Sequence, residues 1–292
     1  MRILVTGGGG MLGRRLAGRL LADGHLGGRS VEGLWLHDAA MGPVAGATVL
    51  SGDLAAEGAA EALAALRPDV VFHLAAVVSG EAEADFAKGV RVNLDATRAL
   101  LLALPAGARV VFASSTAVFG APFPDPIPDD FAPRPLTSYG TQKLMGELLL
   151  ADLSRRGRLD GVAVRLPTVC VRPGAPNRAA SGFFSSIIRE PLKGLPAVLP
   201  VGRDLVHTMA SPRAAVGYLL RAATMDTGAL GARRAVIVPG VAVSVGGQIE
   251  ALRRLAGDAA VRLIEERPDP AVAAIVQGWP ARFEARRGRD LG

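Results

Sequence analysis

The chain has 292 residues, of which 50% are hydrophobic and 21% are charged, and this composition excludes an intrinsically disordered protein. No apolar run approaches the ~20 residues of a transmembrane helix, and a single cysteine excludes an internal disulfide and a cysteine-cluster metal site. The net charge of +6 comes mostly from scattered arginines, with few aromatic side chains, which argues against nucleic-acid binding. We therefore expect a cytoplasmic, metal-free globular protein without a membrane anchor.

Short apolar strands alternate with helical patterns through the first two-thirds of the chain. The predicted strands are residues 3–5, 34–37, 48–50, 70–74, 110–113 and 162–166. Leu12, Leu16 and Leu20 recur every four residues between the first two strands, and residues 94–102 form another apolar stripe, which indicates helices. Fully apolar strands that alternate with helices are typical of α/β proteins with a doubly wound parallel sheet of the Rossmann type.

A glycine-rich turn joins the first predicted strand to the first helix. Gly7, Gly10 and Gly13 are spaced by three residues. The first would permit a tight turn, the second would let a pyrophosphate approach the backbone, and the third would let the helix pack on the strand. Phosphates would bind at the helix N-terminus, beside Met11 and Leu12. Taken alone, the same glycine pattern also occurs in strand-to-helix turns with only a structural role.

Acidic residues follow the next two predicted strands. Asp38 ends the second strand, 25 residues after Gly13, where its carboxylate can accept hydrogen bonds from the adenosine ribose and would repel a 2′-phosphate. We therefore expect NAD rather than NADP as the cofactor. Asp53 and Leu54 follow the third strand and could hold the adenine edge. The alternatives are that Asp38 caps a strand end and that Asp53 is an ordinary turn residue.

The alternation of strands and helices loosens after about Leu166, where Gly, Pro and Arg become more frequent. We predict that residues 1–166 form the NAD-binding Rossmann domain. Residues 167–292 would mainly form a smaller substrate-binding lobe, with some segments returning to the Rossmann sheet. Ligands of open α/β sheets bind beyond the carboxyl ends of the strands, so this lobe would determine substrate specificity.

Tyr139 and Lys143 are four residues apart, so they share one face of a predicted helix. An ammonium near a phenol favours the phenolate and lowers the pKa of the tyrosine, which would make Tyr139 a general base. Ser115 follows the fifth predicted strand, where its hydroxyl could stabilise a reacting oxygen; Ser114 is the alternative. The competing interpretation of Tyr139 and Lys143 is an incidental surface pair.

Together these motifs resemble the extended short-chain dehydrogenase/reductases, the NAD-dependent epimerase/dehydratase group. The residues that carry the resemblance are the glycine turn, Asp38, residues 73–76, Asn93, Ser115, Tyr139 and Lys143. It implies that Tyr139 is the base, that Lys143 orients the nicotinamide ribose, and that Ser115 polarises the substrate oxygen. It also implies cofactor contacts at Leu74, Ala75, Ala76, Asn93, Pro167 and Val169.

A closer resemblance, to sugar-acid dehydrogenases of this family, extends over nearly the whole chain. The matching segments are residues 73–86, 91–101, 139–157, 165–193, 211–213 and 268–282. This resemblance implies that the chain oxidises the C2 hydroxyl of a four-carbon sugar acid, D-erythronate, to a 2-keto acid and passes the hydride to NAD. It also implies a homodimer formed through two long helices, one of which carries Tyr139.

An anionic sugar acid needs cationic or amide donors for its carboxylate and hydroxyls. Arg172 and Asn177 follow the sixth predicted strand, Arg213 lies in a later Ser-Pro-Arg run, and Ser79 follows the fourth strand. All four could bind substrate together with Ser115 and Tyr139. The alternative is that each arginine is a solvated surface residue and that Asn177 is structural.

Two other functions stay open at this point. A nucleotide-sugar epimerase or dehydratase of the same family would usually need a larger C-terminal lobe than the about 125 residues after Leu166. A non-catalytic NAD-binding sensor would commonly have lost the tyrosine or the lysine. We interpret His73 and His207 as strand residues with satisfied hydrogen bonds rather than as catalysts.

Overall fold

The structure, a computed structural model, describes residues 1–174 and 181–292. Its strands in these ranges are β1 (Arg2–Thr6), β2 (His25–Leu26), β3 (Arg29–Ser30), β4 (Gly33–Asp38), β5 (Thr48–Ser51), β6 (Val70–His73), β7 (Arg109–Ser115), β8 (Asp160–Leu166), β9 (Thr168–Val169), β10 (Ala197–Leu199), β11 (Val206–Ala210), β12 (Ala235–Ile237), β13 (Val241–Ser244) and β14 (Ile264–Glu266).

The α-helices in the same described ranges are α1 (Met11–Asp23), α2 (Ala59–Ala64), α3 (Ser79–Ala84), α4 (Phe86–Gly89), α5 (Ala96–Ala103), α6 (Ser138–Arg155), α7 (Gly182–Arg189), α8 (Pro212–Thr224), α9 (Val245–Val261), α10 (Pro270–Gln277) and α11 (Arg286–Asp290). A π-helical turn, Val90–Asp95, joins α4 to α5. A 3₁₀ turn, Thr116–Val118, follows β7. No helix among the described residues is long and apolar enough to cross a lipid bilayer.

Seven parallel strands form the central sheet, in the order β12-β8-β7-β6-β1-β4-β5. The predicted doubly wound Rossmann sheet is confirmed, and each of the six predicted strands is found within two residues of its expected ends. The chain moves from β1 outward through β4 to β5 and then returns to β6 on the other side of β1. This reversal opens a crevice between the carboxyl ends of β1 and β6, where such sheets bind ligands.

Helices cover both faces of the sheet because side chains alternate along each buried strand. Ile3 of β1 belongs to a core with Leu16 of α1 and Leu219 of α8. Leu4, the next residue, belongs to the opposite core with Leu150 of α6. All five side chains are almost fully buried, so the sheet holds α1 and α6 rigidly on its two faces.

The second half of the chain contributes to two regions. Strand β12 joins the edge of the central sheet, and α8 packs against α1, as expected for segments that return to the Rossmann fold. Helix α11 contacts β12, whereas most of the other elements surround a separate core that includes Phe184, Met209, Val245 and Ile249. Strand β9 follows β8 after one residue and pairs with β11, so this lobe begins at the carboxyl end of the sheet. The predicted division at residue 166 stays a prediction.

Candidate active site

The glycine turn lies at the crevice and contacts the backbone that follows β6. Gly7 has a positive φ of 73°, and a Cβ there would lie 2.7 Å from the backbone nitrogen of Ala75. A Cβ on Gly13 would lie 2.2 Å from the Gly7 carbonyl oxygen, whereas one on Gly10 would lie 3.2 Å from it. The tight turn and the close packing of α1 therefore require glycine most strongly at Gly7 and Gly13.

The N-terminus of α1 is suited to an anion. The helix begins at Met11 and Leu12, which are partly buried, and Gly10 occupies the N-cap position. Among the described residues, no side chain caps this end, and its first turn holds no acidic residue. Its backbone N–H groups and the helix dipole thus favour a phosphate group.

Asp38 lies beside this turn, as expected for a residue that binds ribose hydroxyls. Its Oδ2 accepts a hydrogen bond from the backbone nitrogen of Gly9 at 2.9 Å. Asp53 follows β5, and its carboxylate accepts hydrogen bonds from Arg91 and from the backbone nitrogen of Ala55. These donors hold the pKa of Asp53 below its usual value. The neighbouring Leu54 is buried.

The backbone after β6 is held against the glycine turn by Thr6. The Leu74 nitrogen donates to the Thr6 carbonyl oxygen at 3.0 Å, and the Ala75 nitrogen lies 3.4 Å from Thr6 Oγ1. This arrangement brings two of the predicted cofactor residues, with Ala76 next in the chain, to Gly7. The glycine cradle, the uncapped helix N-terminus and Asp38 together fit NAD.

His73 is buried and structural, in agreement with its interpretation from the sequence. Its Nδ1 lies 2.7 Å from Thr6 Oγ1, and its Nε2 lies 2.8 Å from Thr97 Oγ1. The Thr97 hydroxyl donates to the Asn93 carbonyl oxygen, so it accepts from Nε2–H. Burial lowers the pKa of His73 to about 3, which keeps it neutral.

Asn93 lies in the π-helical turn and is also buried. Its Oδ1 accepts from the Val77 nitrogen at 2.8 Å, and its Nδ2 donates to Gln142 Oε1 at 2.8 Å. The side chain thus connects the segment after Ala76 to helix α6. Direct contact between Asn93 and the cofactor stays a prediction.

A close contact between α6 and the turn after β7 brings Tyr139 to Ser115. Thr137 caps α6, since its Oγ1 accepts from the Gly140 nitrogen at 3.1 Å. A Cβ on Gly140 would lie 2.1 Å from the Ala117 carbonyl oxygen, so any other residue would displace the helix. The sequence did not identify Gly140 as a residue that positions the site, although its place next to Tyr139 was a signal for such a role.

The structure distinguishes between the two candidate serines. Ser114 is buried, and its hydroxyl donates to Glu147 Oε1 at 2.5 Å. Ser115 instead lowers the pKa of the Tyr139 phenol, and its Oγ accepts from the Ala117 nitrogen at 3.1 Å. The geometry therefore favours Ser115 as the hydroxyl that meets a substrate.

Burial and a second cation, Arg172, act on the pKa of Tyr139 besides the predicted Lys143. Burial raises the pKa of Tyr139 to about 12, opposed first by the Arg172 guanidinium and then by the Ser115 hydroxyl. The Nζ of Lys143 lies 4.7 Å from the ring centroid of Phe112 and 5.7 Å from that of Tyr139. The predicted lowering of the tyrosine pKa by Lys143 stays a prediction.

Arg172 is held so that its guanidinium influences Tyr139. Its backbone nitrogen donates to Ser185 Oγ at 3.0 Å, and its carbonyl oxygen accepts from Arg189 at 2.8 Å. Its Nε also donates to the carbonyl oxygen of Val169, a buried residue of β9, at 3.2 Å. The supporting residues Ser185 and Arg189, both buried on α7, were missed because nothing in the sequence indicates that α7 returns to Arg172.

The remaining predicted site residues are less constrained by contacts. Ser79 is the first residue of α3 and is partly buried, and Pro167 connects β8 to β9. Arg213 is exposed in the first turn of α8. Asn177 lies outside the described residues. The substrate roles of Ser79, Arg213 and Asn177 stay predictions.

Comparison with known proteins agrees with this geometry. The NAD dependent epimerase/dehydratase family matches residues 3–219, which include the glycine turn, Ser115, Tyr139 and Lys143. The chain belongs to this family. NAD is therefore its cofactor, as the sequence predicted.

Curated relatives match over the full chain. D-erythronate dehydrogenase from Cupriavidus necator is 47% identical over 303 residues, which span 100% of this chain and 93% of that protein. D-erythronate dehydrogenase from Haemophilus influenzae is 38% identical. That match spans 100% of this chain and 94% of that protein. The resemblance to sugar-acid dehydrogenases is thereby confirmed.

Solved structures share the fold. A structure described as a nucleoside-diphosphate-sugar epimerase from Agrobacterium tumefaciens superimposes with a TM-score of 0.96 at 53% identity, covering 100% of this chain and 89% of that one. A GalE-like L-threonine dehydrogenase from Cupriavidus necator has a TM-score of 0.86 at 22% identity, covering 100% and 93%. At this lower identity the likeness concerns the fold alone.

Substitution of Gly13 tests the cofactor cradle. In Gly13→Ala the new Cβ meets the Gly7 carbonyl oxygen, so we expect NAD affinity to fall by about tenfold or more, as measured by isothermal titration calorimetry. Gly18→Ala is the matched control, because a Cβ on Gly18 of the same helix contacts nothing within 4 Å. The control should bind NAD normally and unfold at a slightly higher temperature. Equal NAD affinity of the two variants would contradict the cradle.

Proposed function

We propose that this chain is an NAD-dependent dehydrogenase that oxidises the C2 hydroxyl of D-erythronate to 2-dehydro-D-erythronate. The observation that carries the proposal is that the Arg172 guanidinium and the Ser115 hydroxyl both lower the pKa of the Tyr139 phenol against the effect of burial. A 2-hydroxy acid presents a carboxylate next to its reacting carbinol, so it needs an anion-binding group beside the base. The full-length relatives named D-erythronate dehydrogenase support the same substrate.

In this mechanism the residues of the chain bind, orient and deprotonate the substrate. The Tyr139 phenolate removes the proton of the C2 hydroxyl, and Ser115 holds that oxygen by a hydrogen bond. Arg172 pairs with the carboxylate. Lys143 holds the nicotinamide ribose. When bound, NAD accepts the hydride that leaves C2.

A second candidate is epimerisation or dehydration of a nucleotide sugar. The name of the Agrobacterium tumefaciens structure favours it, at 53% identity. The two functions differ in what happens to the cofactor, because a dehydrogenase accumulates NADH whereas an epimerase returns NAD unchanged. A panel of C4–C6 aldonates and nucleotide sugars, assayed at 340 nm with NAD and with NADP, distinguishes them. Cytoplasmic location stays a prediction.

Removal of the phenol oxygen tests the base. We expect Tyr139→Phe to lower kcat for D-erythronate by about 100-fold or more, because a general base contributes at least this much. NAD affinity should change little. Tyr218→Phe is the matched control, since Tyr218 is the other tyrosine of the chain and lies on α8. Unchanged activity of Tyr139→Phe would exclude the mechanism, and absence of activity in the wild type with intact NAD binding would support the sensor interpretation.

The carboxylate contact is tested by paired arginine variants. We expect Arg172→Gln to raise KM for D-erythronate by about tenfold or more, since it removes a charge-assisted pair beside the reacting carbon. Arg213→Gln, at the exposed arginine of α8, should raise KM less. The measurement is initial rate against D-erythronate concentration at saturating NAD. A larger effect at Arg213 would assign the carboxylate to that residue instead.

We also infer that the chain forms a homodimer through α6. Met145 and Leu148 lie three residues apart on α6 and are 45% and 62% exposed. Phe86 at the start of α4, which packs on α6, is 64% exposed. Adjacent apolar side chains of this size favour burial against another surface, and the implied partner is a second copy of the chain.

A charge placed in this apolar face tests the dimer. We expect Leu148→Glu to convert the dimer to a monomer in size-exclusion chromatography with light scattering, because a carboxylate would be buried without a partner. Leu255→Glu is the control, since Leu255 is 85% exposed on α9. A monomeric wild-type protein would refute the proposed dimer.

A further inference from the structure

A buried ion pair lies beneath the catalytic helix. Glu147 of α6 is 4% exposed, and both of its carboxylate oxygens accept hydrogen bonds from Arg165 of β8. The Arg165 Nη2 lies 2.7 Å from Glu147 Oε2, and its Nε lies 3.0 Å from Oε1. The Ser114 hydroxyl donates to the same carboxylate at 2.5 Å. One carboxylate therefore connects α6 to both β7 and β8.

The position of Glu147 relates this pair to the active site. Tyr139, Lys143 and Glu147 follow one another at intervals of four residues, so they occupy successive turns on one face of α6. Ser114 is the neighbour of Ser115. The carboxylate thus contacts the strand that carries the catalytic serine and lies one helical turn from the lysine.

Few charged groups face Lys143 in the described residues. Its Nζ lies between the rings of Phe112 and Tyr139, and His73 of β6 is kept neutral by burial. Glu147 is the carboxylate that favours its ammonium, and Arg165 of β8 is hydrogen-bonded to Glu147. The Arg172 guanidinium acts on Tyr139. Burial, partly offset by Glu147, lowers the pKa of Lys143 to about 8.

We propose that Glu147, held by Arg165 and Ser114, is a positioning residue that fixes the Lys143 ammonium relative to the strand end bearing Ser115. A buried ion pair by itself is a weak source of stability, because two charges lose their hydration. The placement of this pair supports a role at the site. The inference requires NAD dependence but not the identity of the sugar acid.

Removing the Glu147 carboxylate and removing the Arg165 guanidinium should shift the pKa of Lys143 in opposite directions. Glu147→Gln removes the carboxylate and leaves the Arg165 cation, so we expect the pKa of Lys143 to fall by about one unit. Arg165→Met leaves the carboxylate without its other cation, so the pKa of Lys143 should rise. Because the ammonium is lost as pH rises through its pKa, the alkaline limb of NADH affinity should move down in Glu147→Gln and up in Arg165→Met.

The chain permits a direct measurement because it has only three lysines, Lys88, Lys143 and Lys193. NMR of protein labelled at lysine follows Lys143 through pH, with the other two as internal references. NADH affinity against pH, measured by fluorescence, provides the second readout. Neither experiment uses the substrate, so failure of the D-erythronate assay and failure of this inference are distinguishable.

The matched control lies at the opposite end of the same two strands. There Arg109 of β7 pairs with Asp160 of β8 at 2.7 Å. Asp160→Asn should lower thermal stability without moving the titration of Lys143. If Glu147→Gln also lowers only stability, Glu147 is purely structural and the proposal is wrong. If one of the two variants, Glu147→Gln or Arg165→Met, fails to fold, an unshifted pKa of Lys143 in the other variant would also overturn the proposal.

Discussion

The contact between the first turn of α6 and the turn after β7 is the constraint on which the active site depends. A Cβ on Gly140 would lie 2.1 Å from the Ala117 carbonyl oxygen, so the helix can approach this closely only with glycine there. Tyr139 is thereby brought to Ser115, although 24 residues separate them in the chain. The Glu147–Arg165 pair and the apolar contacts of Leu150 keep the same helix in place further along.

Helix spacing indicates one cation near the phenol, and the structure adds a second. The ammonium of Lys143 lies 5.7 Å from the centroid of the Tyr139 ring, where a cation interacts with the π-system. The guanidinium of Arg172 lowers the pKa of Tyr139. In the proposed mechanism one arginine therefore serves both the base and the substrate carboxylate, which couples recognition of an acid to its deprotonation at C2.

The two halves of the chain supply different parts of this site. The first half provides the glycine turn, Asp38, Ser115 and the start of α6, all of which lie within the residues that the family matches. The second half provides Arg172 and the α7 residues that hold its backbone. The D-erythronate dehydrogenase from Cupriavidus necator matches the whole chain, so its match includes this lobe. The solved structures at about 22% identity share only the fold.

The sequence by itself determined the sheet, the cofactor turn and the spacing of Tyr139 and Lys143. These features depend on local periodicity and on the steric freedom of glycine, both of which can be read from consecutive residues. Only the tertiary structure distinguishes Ser114 from Ser115, because Glu147 binds the Ser114 hydroxyl. It also adds Arg172 as a cation that acts on Tyr139. Side-chain electrostatics depend on distances between elements far apart in the chain, and no local pattern encodes those distances.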